Sequence, residues 1–465
     1  MNSFERELMH RSPLAAAVLE TCDHVFSDEL LDSIWHSHHG RCYEDVLGFD
    51  DLIRIMRDAL VRHEGSAHKL FIELEHAEAN LVNESSFYRK ISHVPVEVSR
   101  GLLRKCTGRL RQLMPGPVVK LPECFEHFEV LVGDGKKIKN ATKRLKPTRK
   151  YSGKLLGAKA LVALDIRSGM AVAMSDSIDG MTNDVPLVPE LMSQLRQMIA
   201  GAILSIWDRQ FDDPRTLQQL SERPGDAFIV RMRQNYAFAA ESSVETRDEQ
   251  GRRVLDEIGI LGKKKTTVRV RCITLCREGE GEEDVVLLTN LEDGRKYGAG
   301  AVLQLYKMRW GIEQVFQQIT ETFSLSHLIG CSPKAILLQF SYCLLLYNQM
   351  QMVKAYVALD GGVLASVVSM YYLFDDVRKE LQAWAYHTDG SWPRIQRDSS
   401  EMRQRLQTLL KGSWRAIKYT KAFDKKPRGK PKPKLRLHGG HSSIQRALEG
   451  RAKLHSGEQK LATKG

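Results

Sequence analysis

Apolar residues recur at helical spacing through the first 118 positions. Asp50 and Asp51 open the run DLIRIMRDALVRH, and Ser66 precedes AHKLFIELEHA; both pairings suit a capped helix start. Asn83 to Met114 carries two more helical runs, SSFYRKI and VEVSRGLLRKCTGRLRQLM, joined by the short HVP break. A tight turn followed by a basic helix fits a helix-turn-helix reader of DNA, with Ser99, Arg100, Arg104 and Arg109 as phosphate or base contacts. Any two packed helices give the same pattern, so this stretch is equally well read as core.

The pattern changes after MPGP at 114–117. FEHFEVLVGDG alternates and then runs apolar, as a strand ending at Asp134 would. GAKALVALDI (157–166) and GMAVAMSDSI (169–178) predict two more strands, joined by a tight turn at Arg167-Ser168-Gly169. Asp184 to Ile199 reads as a helix with Pro186 near its start, and ILSIWD (203–208) as a short buried strand ending at Asp208. A helix, DDPRTLQQLSER, and a strand, DAFIVRMR, follow. Three strands, helix, strand, helix, strand is the element order of an α/β RNase H-like core with a mixed sheet. VRVRCITLC (268–276) and EDVVLLTNL (283–291) predict a β-rich insertion. Leu303 to Phe323 is helical, and Pro333 opens a long apolar helix. The expected organisation is an N-terminal helical domain (1–118) read as DNA-binding and a core (119–350) interrupted at 233–300. A helical C-terminal region (351–419) and a basic, disordered tail (420–465) complete it.

Composition narrows the class. With 42% hydrophobic and 27% charged residues the chain is globular. The apolar run from Ala335 to Val353 is broken by Gln339, Ser341, Asn348, Gln349 and Gln351, which suits a buried helix and excludes a membrane span. The opening MNSFERELMHRS lacks a signal peptide's apolar core, and eight cysteines read as reduced thiols, so a cytoplasmic, nucleoid-associated location is expected. Cys22, His24, His36, His38, His39 and Cys42 lack the paired spacing of a zinc site, and none is predicted. The net charge of +12 is concentrated: residues from Lys411 onward carry 16 Lys/Arg against 3 Asp/Glu, and Asp134 to Lys159 carries ten against one. Two basic blocks on a near-neutral body point to a polyanion, most economically nucleic acid.

Chemistry enters at Tyr306, Arg309 and Glu313. Their i, i+3, i+7 spacing puts them on one side of a helix. Alone they describe a salt-bridged surface helix. Together with Asp134 and Asp208, each anchored behind by apolar strand residues, they describe carboxylates converging from strand ends and a facing helix. Hard oxygen ligands of this kind suit Mg2+ or Mn2+, and two such ions roughly 3.5–4 Å apart serve in-line phosphodiester displacement.

The run LYKMRWGIEQVFQQI resembles the L-Y-x-x-R-W-x-I-E-x-x-F segment of insertion-sequence DDE transposases, the group with a Y-(2)-R-(3)-E-(6)-K signature. GDGKKI around Asp134, WDRQF around Asp208, TNL (289–291) and SP (332–333) fit as well, over residues 120 to 350. The resemblance implies an RNase H-like catalytic core in which Asp134, Asp208 and Glu313 are the catalytic, metal-binding triad for two Mg2+ or Mn2+ ions. It implies that Tyr306 and Arg309 contact DNA phosphates near the cut. Lys136, Lys137, Lys139, Lys143 and Arg144, which follow Asp134 directly, are expected to position the scissile strand. The implied activity is cleavage at transposon ends and strand transfer into target DNA, by a homodimer or larger synaptic complex on double-stranded DNA. Two departures stand out. Thr320 occupies the signature's lysine position, with Lys334 as a candidate substitute. The insertion has no Trp, only Tyr236, Phe238 and Tyr297, so a hairpin route is not predicted. A two-metal nuclease without strand transfer, and a DNA-binding remnant or repressor, are the alternatives. Deleting residues 420–465 is expected to flatten the dependence of log K for DNA binding on log salt; an unchanged slope contradicts the tail's role.

Overall fold

The computed structural model describes residues 3–42, 47–76, 83–139, 143–149, 151, 153–233, 237–263, 266–277, 283–323, 325, 327–388, 397–420 and 441–450. Helices come first: α1 (Ser3–Arg11), α2 (Pro13–Val25), α3 (Asp28–His38), α4 (Phe49–Val61), α5 (Ala67–His76), α6 (Glu84–His93) and α7 (Val96–Gln112). Local chemistry sets several starts. Ser27 accepts from the Leu30 N–H, Asn83 from Ser86 at 2.8 Å, and Ser66 from Lys69 at 3.3 Å. The acids of Asp50 and Asp51 lie in the first turn of α4, where the helix dipole favours them.

The α/β region follows as β1 (Glu129–Ile138), α8 (Lys146–Arg149), β2 (Lys154–Leu156), β3 (Ala158–Asp165), β4 (Met170–Ser177), α9 (Val188–Met198), β5 (Ile203–Trp207), α10 (Pro214–Leu220) and β6 (Ala227–Arg231). Then come β7 (Phe238–Arg247), β8 (Arg253–Lys263), β9 (Thr266–Leu275) and β10 (Val285–Thr289). Among the described residues, nine of these strands form one sheet in the order β4-β3-β1-β5-β6-β10-β9-β8-β7. The β1–β5 and β5–β6 pairs are parallel and the others antiparallel. The result is a mixed α/β fold around a large, mostly antiparallel sheet.

Strand alternation divides the core. Val130, Val132, Leu204 and Ile206 face one hydrophobic cluster, shared with the helices before β1 and after β10. Leu131, Ile203 and Trp207 face the other, built with α9 and α10. Asp134 and Asp208 continue the first set of positions.

Three expectations need correction here. β1 does not end at Asp134 but runs to Ile138, because its antiparallel pairing with β3 continues to Ile138↔Ala158. The insertion contains two further strands, β7 and β8, which extend the main sheet. Nearly every described β7 side chain is exposed, so no hydrophobic alternation marked it. The turn at 278–282 lies outside the described residues. Finally, α7 is a core helix. Ser99 is buried, Arg100 bonds Asp176 of β4 at 2.5 Å, and Arg109 donates to the His24 carbonyl and Ser27 Oγ, both at 2.8 Å. Arg100 thus holds α7 to the sheet and Arg109 holds it to α2 and the start of α3, so both arginines are engaged within the fold.

The predicted single helix at 303–323 is two, α11 (Ala299–Lys307) and α12 (Trp310–Glu321). Arg309 N–H bonds Tyr306 O and Gly311 N–H bonds Met308 O, so i→i+3 bonds tighten the joint. Helix α13 (Pro333–Asp360) is buried along most of its length. Two of its buried amides are satisfied internally: Asn348 bonds Thr107 and the Ala171 carbonyl, and Gln349 bonds the Val18 carbonyl, each at 2.8 Å. Among the described residues no helix is long and apolar enough to cross a membrane.

The C-terminal elements are α14 (Met370–Thr388), α15 (Ser399–Leu409), α16 (Ala416–Tyr419), β11 (His441–Ser443) and α17 (Ile444–Leu448). The last two fall inside the tail expected to be disordered. β11 pairs in parallel with β2, Ile444 is buried, and Arg446 bonds Asp179 at 2.8 Å, which gives this short segment an anchor. Residues 421–440 and 451–465 of that tail lie outside the described residues.

Within the insertion, Arg271 of β9 is fully buried and ties β8 to the segment after β10. It grips Asp256 through two bonds of 2.7 and 2.6 Å and donates to the carbonyls of Leu291 and Tyr297. Removing one partner of a buried pair strands the other. Arg271→Ala should therefore lower the unfolding free energy by roughly 3–5 kcal/mol in urea titrations. Arg253→Ala, which breaks the exposed Arg253–Glu245 pair, should leave the urea midpoint close to the parent's.

Candidate active site

The parallel register of β1 and β5 sets Val132 opposite Ile206. Carried on by two residues, the same register brings Asp134 alongside Asp208, just where β5 ends. Two glycines make the approach close. A Cβ on Gly133 would be driven into the indole of Trp207, and one on Gly135 into the carboxylate of Asp184. The sequence G-D-G is thus a packing requirement on the face opposite Asp134. Each aspartate is also fixed locally: Asp134 accepts from the Gly135 N–H at 2.8 Å and Asp208 from the Gln210 N–H at 2.9 Å.

Electrostatics show that the pair is coupled. Burial first, and the neighbouring Asp208 charge after it, push the Asp134 carboxyl up to about 6 against the Gly135 N–H and the Arg309 guanidinium. Helix α12 packs against β1 and faces the pair. Arg309, at the joint, donates to Glu313 Oε1 at 2.8 Å and lies 5.9 Å from the Tyr306 ring centre. The split helix therefore still gathers the three residues. Tyr306 is pushed above its usual range by burial, which outweighs the nearby Arg309 and Arg231. Lys136 lies on the Asp134 face, donates to the Phe316 carbonyl at 3.3 Å and sits over the Phe316 ring. Burial, with Lys139 close by, pulls its ammonium below the usual lysine range.

The other predicted DNA contacts are more open. Lys137, Lys139 and Arg144 are exposed, whereas Lys143 is bonded to the Tyr151 carbonyl. Residues 140–142 and 150 of this block lie outside the described residues, as does Tyr236. Thr320 turns its hydroxyl back to the Phe316 carbonyl at 2.6 Å, and Lys334 is exposed. Tyr297 is buried and stacked on Phe125, which removes it as a platform for an unstacked base. Phe238 is half-buried against the second hydrophobic cluster. Sequence reasoning missed Asp184, Lys159, Gln210 and Arg231. Only their closeness to Asp134, Asp208 or Tyr306 in three dimensions marks them.

Three carboxylates and a phenol supply hard oxygen donors, which fits a divalent cation. The fit is strongest at Asp134 and Asp208, whose mutual repulsion a cation would relieve. Among the described residues no three His, Cys, Asp or Glu side chains already enclose a metal position, and Glu313 is bonded to Arg309 instead. The raised Asp134 carboxyl has a measurable consequence. Asp134 has a folded-state pKa of about 6, above the unfolded value near 3.9, so its contribution to stability is present below pH 4 and lost as pH rises through 6. In EDTA, Asp134→Asn should therefore gain on the parent protein between pH 4 and 7, by on the order of 2 kcal/mol in denaturant titrations. Parallel pH profiles for the two proteins would contradict the raised Asp134 carboxyl.

The family model described as the transposase DDE domain matches residues 127–349. No curated protein matches the chain. Among solved structures, the chain is similar to one in the cryo-electron microscopy structure of a piggyBac transposase synaptic complex with hairpin DNA. Identity is 12%, coverage is 85% of this chain and 75% of that chain, and the TM-score is 0.34, too slight a likeness to carry an argument. Asp134, Asp208, Tyr306, Arg309 and Glu313 all fall inside the matched segment, and residues 127–349 thus belong to the transposase DDE domain family.

Proposed function

We propose that the protein is a DNA transposase that cleaves the ends of its own element and transfers the resulting 3′-hydroxyl strands into target DNA. The observation that carries this reading is that Asp134, within β1, lies near Asp208, just after β5, with Arg309 close to Asp134 and bonded to Glu313. The strand block β4-β3-β1-β5-β6, an antiparallel meander continued by parallel strands, supports an RNase H-like core for residues 119–350 interrupted at 233–300. On the same reading residues 1–118 and 351–419 form the flanking helical regions, and the basic segments of the tail add affinity for DNA.

Mg2+ or Mn2+, two ions on this reading, would be held by Asp134, Asp208 and Glu313 and would activate the attacking oxygen and relieve charge on the departing one. The chain's own part is positional. The sheet fixes the separation of Asp134 and Asp208, which a flexible loop could not. Arg309 holds Glu313 until DNA arrives. Its guanidinium fork then engages a phosphate, with Tyr306 beside it, and Glu313 is released towards the aspartates. Lys136, Lys137, Lys139 and Arg144 line the path of the DNA backbone leaving that point. Water attacks the first phosphorus and the P–O3′ bond breaks. In the second step the freed 3′-hydroxyl attacks target phosphorus, and the target's P–O3′ bond breaks. Two ends must be held together, which calls for a dimer or larger synaptic complex on double-stranded DNA.

A second reading, a DNA-binding remnant, rests on Thr320. Its hydroxyl is engaged within its own helix and offers no cation to a terminal phosphate. Nicking assays separate these readings. Asp134→Ala, Asp208→Ala and Glu313→Ala should each lower metal-dependent nicking of element-end DNA by roughly 10³-fold or more, while binding in EDTA persists. A parent protein that never nicks supports the remnant, and one that nicks without joined products is a nuclease.

A further inference from the structure

Behind the acidic pair, on the other face of the sheet, lies a buried polar group that the proposed reaction does not use. Asp184, in the segment before α9, is 5% exposed and forms an ion pair with Lys159 of β3, itself 3% exposed. Its other oxygen accepts from Gln210 Nε2 at 2.6 Å. The Gln210 backbone N–H is the group that binds Asp208. On the remaining side, the Asp184 carboxylate fills the space that a side chain at position 135 would occupy, directly against β1. One carboxylate thus touches the strand bearing Asp134, the strand next to it, and the turn bearing Asp208.

Burying an ion pair is expensive, and two apolar residues of similar size would hold β3 to α9 as well or better. Stability alone does not explain the pair. A site whose two acids repel, however, needs their backbones held from behind. We propose that Asp184 is a positioning residue: wedged between Gly135, Lys159 and Gln210, it fixes the separation of Asp134 and Asp208 and so sets the affinity of that pair for a divalent cation. The inference rests on the metal-dependent reading of the site given above. It assigns Asp184 no contact with DNA or with the cation. Lys159 holds the carboxylate in place, and Gln210 transmits its position to the Asp208 turn. Comparable groups behind metal ligands change metal affinity about 10–100-fold when removed.

The test must separate positioning from the simpler role of neutralising Lys159. Asp184→Ala alone strands a buried ammonium, so Asp184→Ala is combined with Lys159→Met, which removes both charges. Mn2+ binding to the full chain without DNA is followed by electron paramagnetic resonance, alongside melting temperature, DNA binding in EDTA and metal-dependent nicking. The double variant should melt near the parent protein and bind DNA in EDTA equally well, yet lose about 10–100-fold in Mn2+ affinity and a similar factor in nicking. Mn2+ affinity within twofold of the parent overturns the proposal and leaves the acidic site standing, provided Asp134→Ala abolishes Mn2+ binding. If Asp134→Ala retains Mn2+ binding and nicking, the reading of the site itself fails, and the inference with it. Should the double variant not fold, Gln210→Ala cuts only the link to the Asp208 turn. A severalfold loss of Mn2+ affinity at unchanged melting temperature supports the proposal, and no loss overturns it.

Discussion

Two carboxylates on neighbouring strands repel each other, and partial burial strengthens the repulsion because less water screens it. The local structure of this protein is arranged to withstand that force. Parallel pairing of β1 with β5 sets the spacing, and antiparallel pairing with β3 carries β1 beyond Asp134 so that the acid is held on both sides along its strand. Gly133 and Gly135 let Trp207 and Asp184 close in from behind. The rise of the Asp134 carboxyl to about 6 comes first from burial, with the Asp208 charge adding to it.

The remainder of the molecule can be understood as support for that arrangement. Helix α13 is buried against β3 and β4 and is joined to α7 through Asn348 and Thr107. Helix α12 rests on β1, so Glu313 is carried by an element whose apolar side is locked into the core by Ile312, Val315, Phe316 and Ile319. The basic residues divide by depth. Arg100, Arg109 and Arg271 are structural, satisfied by buried partners, whereas Lys137, Lys139 and Arg144 remain open to solvent. Arg309 stands between these classes, half-buried and bonded to an acid that the proposed chemistry would require elsewhere.

The tight joint between α11 and α12 illustrates how spacing can mislead about an element while remaining right about a neighbourhood. Tyr306, Arg309 and Glu313 do not lie on one continuous helix, yet the i→i+3 bonds at Met308 and Arg309 keep the turn compact enough to assemble them. In the tail, the sequence KKPRGKPKPK is poor in apolar residues, but Ile444 a little further on is enough to seat a short strand beside β2. Composition averages over such single anchors and hides them.

What was legible in the chain alone followed from local rules. Strand alternation and turn residues marked β1, β3, β4, β5 and β6, Ser66 marked the start of α5 and Pro333 that of α13, because those signals act within a few residues. The motif around Glu313, with Asp134 and Asp208 after apolar strands, indicated which acids to watch. Other features depended on partners distant in sequence. β7 is almost wholly exposed, and it and β8 are defined by the sheet they extend. The α6–α7 pair looked like a groove reader until buried Asp176 and the Ser27 hydroxyl were found holding its arginines. Asp184 and Lys159 carry no motif, and Gln210, though inside WDRQF, had no role assigned to it there. Their significance arises because packing brings them behind the acidic pair, a relation fixed by three-dimensional closeness and invisible to spacing along the chain.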